Sequence, residues 1–402
     1  LKPLWLKRRC NRLSMARAKR REKHAVVTEK LPGAHASVTS WMPYVAGLLS
    51  FSLGTGLNLA YRRLRAARTE LEPSPASMQC WSEFHAARAA MRRAPVVGNE
   101  SLLVWARRHG VSMSTATDSI ISSVKLRKGG IGGLELSSAD EFQASDEIFR
   151  IPVSVALFAE SHSSFDAPWD LSCLQLADEH EELIAGLVLS LSAELHLGSD
   201  SAWSPWIEQL PKLEDFRVNP LLAPLEELDR FEGLEVADYS RQHQKEARST
   251  FAALSRRSKT CLGGAAEVTS YDEYLRTRLL AETRSVRLDI CGTKLGALLP
   301  LFDSINTGLP GSYNVGLDLA NSGGKFFSLE ARGRLSPGQE LLVRYKDVAN
   351  DQLAAIWGFV LPGNTARMDD VPGDVCERLR HAECVVPGCL FATLRDEACG
   401  WL

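Results

Sequence analysis

Two clusters of residue types in this sequence could do chemistry. Gly129-Gly-Ile-Gly-Gly133 places four glycines in five residues, and Cys376, Cys384, Cys389 and Cys399 lie within 24 residues near the end. Glycines let a backbone turn tightly and approach a ligand closely, as backbone hydrogen bonds to a cofactor require; the same run also suits a plain hairpin turn. The cysteines read C-x7-C, then Val-Val-Pro-Gly, then C-x9-C. A break at Pro387-Gly388 between two short helices would set Cys384 near Cys389. The outer pair, Cys376 and Cys399, would lie about 12 and 15 Å from the turn at about 1.5 Å rise per residue. Antiparallel helices can bring such positions to disulfide spacing. A zinc cluster, which lacks a C-x2-C spacing here, and reduced thiols are the alternatives. The other five cysteines are scattered and read as buried small hydrophobes. Tyr345, closing the run Leu341-Leu-Val-Arg-Tyr345, reads in isolation as a packing residue at a strand end.

The elements that must position these residues follow from local pattern. Glu70–Gln79, with two prolines, reads as a linker. Asn99 suits an N-cap before Glu100–His109, with Gly110 as the stop. Short β-like runs fall around Ile131–Leu136 and Glu147–Val153. Asp178–Leu197 predicts a helix, acidic at its start and apolar behind. Mixed helix and loop extend to about Arg257, Tyr271–Val286 is helical, and strands return at Lys325–Leu329 and Leu341–Tyr345.

Hydrophobic content of 45% and charged content of 24% place the body among globular proteins. Charge is unevenly spread. Leu1–Lys30 holds eleven Lys/Arg against Glu22 and Glu29, which leaves 36 basic and 47 acidic residues in the remainder. Such an arm suits an anionic partner, whether protein, lipid headgroup or RNA, or a targeting segment. Leu31–Tyr61 contains no charged side chain, and Trp41–Tyr61 has the length of a membrane helix with Trp41, Tyr44 and Tyr61 at its ends. A buried or amphipathic helix is the other reading, given Ser50, Ser52, Thr55 and Asn58.

Five ordered segments resemble the SET-domain protein methyltransferases, and among them the Rubisco-methyltransferase-like group. They are the Trp105 helix ending at Gly110, and the glycine loop followed by Asp146-Glu-Ile-Phe-Arg-Ile-Pro152. Next come Ser201-Ala-Trp-Ser-Pro-Trp-Ile-Glu-Gln-Leu-Pro211 and Thr283-Arg284-Ser285. The last is the set Leu299-Pro-Leu-Phe-Asp-Ser-Ile-Asn306, Gly338–Tyr345 and Asn350–Val360. The resemblance implies an α+β fold: a SET domain, β-rich and pseudo-knotted, over 99–364, with a helical insertion at about 160–290. A basic arm (1–40), a transmembrane helix (41–61), a linker with helix (62–98) and a cysteine-bearing tail (365–402) complete the expected organisation.

The resemblance also implies site roles. Gly130, Ile131, Gly132, Arg284, Asp303, Asn306 and Thr307 would lie around S-adenosylmethionine, and Tyr345 would line the channel where the substrate amine meets the methyl group. The sequence departs from the family pattern at several of these places. Thr307 stands where the family has His, Lys346 where it has Gly after the Tyr, and the stretch from the glycine loop to Pro152 runs a few residues longer than the family's. The roughly forty residues after Asn364 in this sequence are too few for the family's substrate-gripping helical domain, so no counterpart of it is expected among them. The expectation is a catalytically degenerate SET-domain protein without a cofactor, serving as an accessory subunit of a large membrane assembly and taking no small-molecule substrate. The tail spacing resembles stapled hairpins of the mitochondrial intermembrane space, so the mitochondrial inner membrane is favoured over a plastid. An active, membrane-anchored protein-lysine methyltransferase using S-adenosylmethionine is the alternative.

Overall fold

An indole N–H buried without a partner is costly, so where buried tryptophans send theirs reveals how a chain is assembled. In the computed structural model the described residues are 75–93, 100–112, 124–128, 134–159, 171–176, 178–261, 268–291, 293–318, 325–366, 371–383 and 390–399. The basic arm, the apolar segment 41–61, the glycine loop with Gly130, Ile131 and Gly132, and Cys384 and Cys389 with the turn between them lie outside them. By contacts the chain divides into one unit of residues 3–83 and another of 84–402 grouped with Leu1–Lys2. Of the first, only the opening of helix α1 (Pro75–Arg93) is described, where Gln79 Nε2 donates to Glu83 Oε1 at 3.0 Å. The expected linker therefore ends earlier than Gln79. Proline is tolerated in the first turn, where its missing N–H has no partner to lose.

In the second unit, Phe84, Arg88 and Met91 recur at helical spacing on the buried face of α1. The Arg88 guanidinium lies over Phe84, Phe158 and Trp203, with 5.5 Å to the last. Helix α2 (Leu102–Arg108) is capped by Ser101, whose Oγ accepts from Val104 N. The cap thus falls two residues after the expected Asn99, because the hydroxyl that reaches the third helical N–H is the one at 101.

Three small antiparallel sheets carry the strands. β1 (Val124–Lys128) pairs with β2 (Leu134–Ser138), with Val124 opposite Ser138. β3 (Glu147–Pro152), β8 (Phe326–Ala331) and β7 (Val315–Asp318) form a second sheet, in that order. β4 (Leu157–Phe158), β6 (Thr293–Leu298) and β5 (Val286–Ile290) form a third. The run Leu341–Tyr345 makes single bridges rather than a long ladder. Leu341 N donates to Leu136 O at 2.8 Å on one side, while Leu342 and Val343 bridge in parallel to Asn306 and Val315 on the other. A late segment is thereby laid between two earlier ones, the threaded arrangement that the resemblance implies. The α+β class is present, with helix outweighing strand because of the long helical stretch from 179 to 284.

That stretch runs from α3 (Glu179–Leu197) through α4 (Ser204–Ile207), α5 (Leu225–Arg230) and α6 (Glu235–Cys261) to α7 (Tyr271–Arg284). Asp178 Oδ1 caps α3, accepting from His180 N and Glu181 N at 3.0 Å each. By length and composition α3 could cross a membrane, but Ile184–Leu191 is buried within this body, where the helix packs on α7, β4 and β6. α3, α6 and α7 are pinned by a buried ionic knot. Arg278, with no exposed surface, meets Glu181 in two hydrogen bonds of 2.8 and 2.9 Å, Glu282 at 2.9 Å and the Tyr274 hydroxyl at 2.7 Å. Thr250 Oγ1 donates to Glu181 Oε2 at 2.6 Å, and His243 Nε2 pairs with Glu282 Oε1 at 2.8 Å.

After the threaded segment come α8 (Asn350–Trp357), α9 (Gly373–Leu379) and α10 (Leu390–Ala398). Cys376 and Cys399 are disulfide-bonded with Cα atoms 5.7 Å apart, as the spacing predicts. Cys80 and Cys291 each take part in a disulfide of their own, with partners outside the described residues, and are only half-buried, which corrects their reading as buried small hydrophobes. Pairing is set by tertiary proximity, and isolated cysteines carry no local signal of it.

Breaking a buried ion pair strands its partner, so Arg278→Ala should lower stability by about 3–5 kcal/mol in urea unfolding. Burial pushes the Glu181 carboxyl up, but its hydrogen bonds to Arg278 and Thr250 outweigh this and hold it at about 2. Burial keeps His109 and His180 down at about 4. All three folded values lie below the ordinary ones, so their contribution is lost on acidification. The urea midpoint should fall as pH drops from 6.5 toward 4, where the two histidines must charge on unfolding, and go on falling, less steeply, below 4, where Glu181 carries the loss. Glu181→Gln should flatten only the lower limb.

Candidate functional site

Five of the eight residues assigned to the site fall among the described residues, and the structure gathers them. Arg284 ends α7, Asp303 lies in a short 3-10 turn after β6, Asn306 and Thr307 follow it, and Tyr345 closes the threaded segment. Asp303 is the most enclosed of them, with 2% of its side chain exposed. Its backbone carbonyl accepts from Arg284 Nη1 at 2.6 Å, its Oδ2 lies 3.8 Å from the same nitrogen, and Trp206 Nε1 donates to that Oδ2 at 3.1 Å. Burial still pushes its carboxyl above the usual range, against the pull of Arg284 and Trp206. Asp303 Oδ1 and Arg284 Nε make no hydrogen bond, and both are sealed from solvent.

The remaining polar groups engage one another. The Tyr345 hydroxyl donates to Ile305 O at 2.9 Å, and burial pushes its pKa up to about 12. Tyr345 N donates to Thr307 Oγ1 at 3.3 Å, so this threonine fastens the threaded segment. Asn306 Nδ2 donates to Glu340 Oε1 at 2.8 Å, and Asn306 O accepts from Val343 N at 2.8 Å. The Tyr345 ring packs 5.4 Å from that of Trp357, whose Nε1 donates to Thr283 O at 3.0 Å. The contacts close a circuit: Arg284 to Asp303, along the turn to Ile305, across to Tyr345, on to Trp357 and back to Thr283.

Trp206, Trp357 and Glu340 have no assigned role in the sequence reading. Trp206 lies inside the Ser201–Pro211 segment, and its neighbours show what that segment does. Trp105 Nε1 donates to Ala202 O and Trp203 Nε1 to Val155 O, each at 2.8 Å, and Ser201 Oγ donates to Glu194 Oε2 at 2.8 Å. The segment therefore ties α2, the 3-10 turn after β3 and α3 to the floor of the site. The density of tryptophan was visible in the sequence, but its partners, 48 to 97 residues away, were not. A groove of about 400 Å³ is lined by Ser101–Leu103 and Val124–Arg127, on the strand leading into the glycine loop. None of the five gathered side chains lines it.

No protein-family model and no curated protein matches the chain. Among solved structures, the chain is similar to Rubisco LSMT bound to AdoMet, at 16% identity and a TM-score of 0.49, over 72% of this chain and 57% of that one. It is similar to the SET domain of LSMT bound to MeLysine and AdoHcy at 16% identity and a TM-score of 0.49, over 73% and 58%. A third is Rubisco LSMT bound to sinefungin and monomethyllysine, at 17% identity and a TM-score of 0.47, over 72% and 57%. The chain spans less than two thirds of the length of each of these structures. The likeness is one of fold outline and says nothing of activity.

Trp206→Phe should lower stability by about 1–3 kcal/mol, because it strips a hydrogen bond from a buried carboxylate. Tyr345→Phe, which removes one hydrogen bond and leaves the ring in place, should cost about 1 kcal/mol. Denaturant titration of both variants reads the difference.

Proposed function

We propose that this chain is a SET-fold protein in which the methyl-transfer site survives as structure, serving as an accessory subunit of a multiprotein assembly at an organellar membrane. The observation that carries the reading is the mutual engagement of the site's polar groups. In the methyltransferases that the sequence resembles, these positions face S-adenosylmethionine and the substrate amine. Here the Tyr345 hydroxyl is engaged by Ile305 O, the Asn306 amide by Glu340 and the Thr307 hydroxyl by Tyr345 N. The open polar atoms, Asp303 Oδ1 and Arg284 Nε, are buried beyond a ligand's reach. The described residues therefore do not fit the cofactor, and Thr307 supplies no ring to close an adenine pocket.

The basic arm and the apolar segment 41–61 support membrane attachment beside an anionic partner. Disulfide bonding of Cys376, Cys399, Cys80 and Cys291 supports an oxidising compartment, and the tail spacing favours the mitochondrial inner membrane. The second reading is an active, membrane-anchored protein-lysine methyltransferase using S-adenosylmethionine. It is favoured by the neutral Tyr345 hydroxyl held beside the Trp357 ring, an arrangement able to orient an amine.

Calorimetric titration of the full chain with S-adenosylmethionine separates the two. The proposal expects no measurable binding. A dissociation constant in the low micromolar range overturns it, and Tyr345→Phe should then abolish turnover while leaving binding largely intact. Alkaline carbonate extraction of native membranes should leave the protein in the pellet; release into the soluble fraction contradicts a membrane span.

A further inference from the structure

The tail is joined to the body through a small number of well-defined contacts. Phe391 and Leu394 of α10 and Leu379 of α9 are buried in one apolar cluster with Phe231, Leu234 and Ala354. Phe391 stacks on Phe231 with ring centroids 5.4 Å apart. Arg378 Nη2 donates to Glu232 O at 2.8 Å. On the other flank, Glu397 Oε2 accepts from Asn350 Nδ2 at 2.9 Å, at the first residue of α8. The Asn350 amide also holds the chain beyond α8: Leu361 N donates to its Oδ1 at 3.0 Å, as does Asn364 Nδ2 at 3.3 Å. Asn364 Nδ2 reaches back to Val348 O at 2.9 Å, three residues beyond Tyr345. α8 ends at Trp357, which packs on Tyr345. The tail thus braces the loop after α5 against the helix that backs the site.

Two short helices of seven and nine residues hold this brace. Helices so short have too little core to keep their own arrangement, and a cross-link from the middle of one to the residue just past the other compensates. The Cys376–Cys399 bond supplies it, and both cysteines are half-buried rather than enclosed in the core.

We propose that the Cys376–Cys399 bond is a thiol-operated latch: oxidised, it locks α9 and α10 onto the Phe231–Ala354 face and fixes α8; reduced, it releases them. The opening reagent is a dithiol, small or protein-borne. One of its thiolates attacks a sulfur of the bond, forming a mixed disulfide and expelling the other cysteine as thiolate. The reagent's second thiol then displaces the attached cysteine, so the reagent leaves as a disulfide, the protein gains two thiols, and two electrons pass from reagent to protein. The latch is independent of whether methyl transfer occurs, because its output is the order of α8.

Hydrogen exchange of the full chain, read by peptide, tests this with and without dithiothreitol. Since Cys80 and Cys291 are also disulfide-bonded, the Cys376→Ser/Cys399→Ser variant isolates the tail bond. In that variant, exchange in α9, α10 and the first turn of α8 should rise by about tenfold or more, while α3 and α7 around Arg278 keep their protection. Unchanged exchange in α8 overturns the latch. A uniform rise across all helices overturns it equally, making the bond a general staple. Should that variant fail to fold, Glu397→Ala keeps the bond and removes the hydrogen bond to Asn350. It should raise exchange in the first turn of α8 alone, and no rise there counts against the coupling. Alkylation of Cys376 and Cys399 in the native, unreduced protein would remove the latch altogether.

Discussion

A carboxylate taken out of water must be answered by donors or cations, and the region around Asp303 is built on that requirement. Its partners come from distant parts of the chain. Trp206 arrives from the segment after α3, and Arg284 from the end of α7. Meeting there fixes the end of α7 against the turn that follows β6. That turn offers Ile305 O to the Tyr345 hydroxyl, and Tyr345 in turn receives Trp357. The threaded segment therefore has a defined end, although its ladder is made of single bridges. Each contact in this circuit is worth about 1 kcal/mol on its own, and the closed arrangement makes each depend on the others.

The helical stretch solves a separate problem by the same physics. Amphipathic packing alone leaves the azimuth of one helix on another free to slide. A fully buried Arg278 facing two carboxylates and a phenol leaves one arrangement in which every charge is met. Such a knot is weak as a source of stability, since well-packed apolar residues of the same volume would do as well. Its use is in choosing a single packing. The three tryptophans of residues 105, 203 and 206 act likewise, each sending one N–H across the interior to a single acceptor.

What was legible in the sequence follows the range of each signal. The helix expected over Asp178–Leu197, acidic at its start and apolar behind, and the β3 strand are local, and the structure has them within a residue or two. The Cys376–Cys399 pair was legible because a turn between two short helices is itself local. The helix beginning at Pro75 was not, because prolines read as breakers unless one sits in the first turn. Of the site, the membership of Arg284, Asp303, Asn306, Thr307 and Tyr345 came from ordered motifs. Their partners did not. Nothing near Asn306 announces Glu340, and nothing near Asp303 announces Trp206, since both pairings arise from how distant elements are laid together.

The central claim is that the site's polar groups are partnered by the protein itself. A crystal structure of the full chain grown with S-adenosylmethionine tests it most directly. The account predicts Arg284 on Asp303, Asn306 on Glu340 and the Tyr345 hydroxyl on Ile305 O, with no cofactor density among them. Cofactor density contacting Asn306 or Arg284, with either side chain turned from its present partner to meet it, would contradict the account.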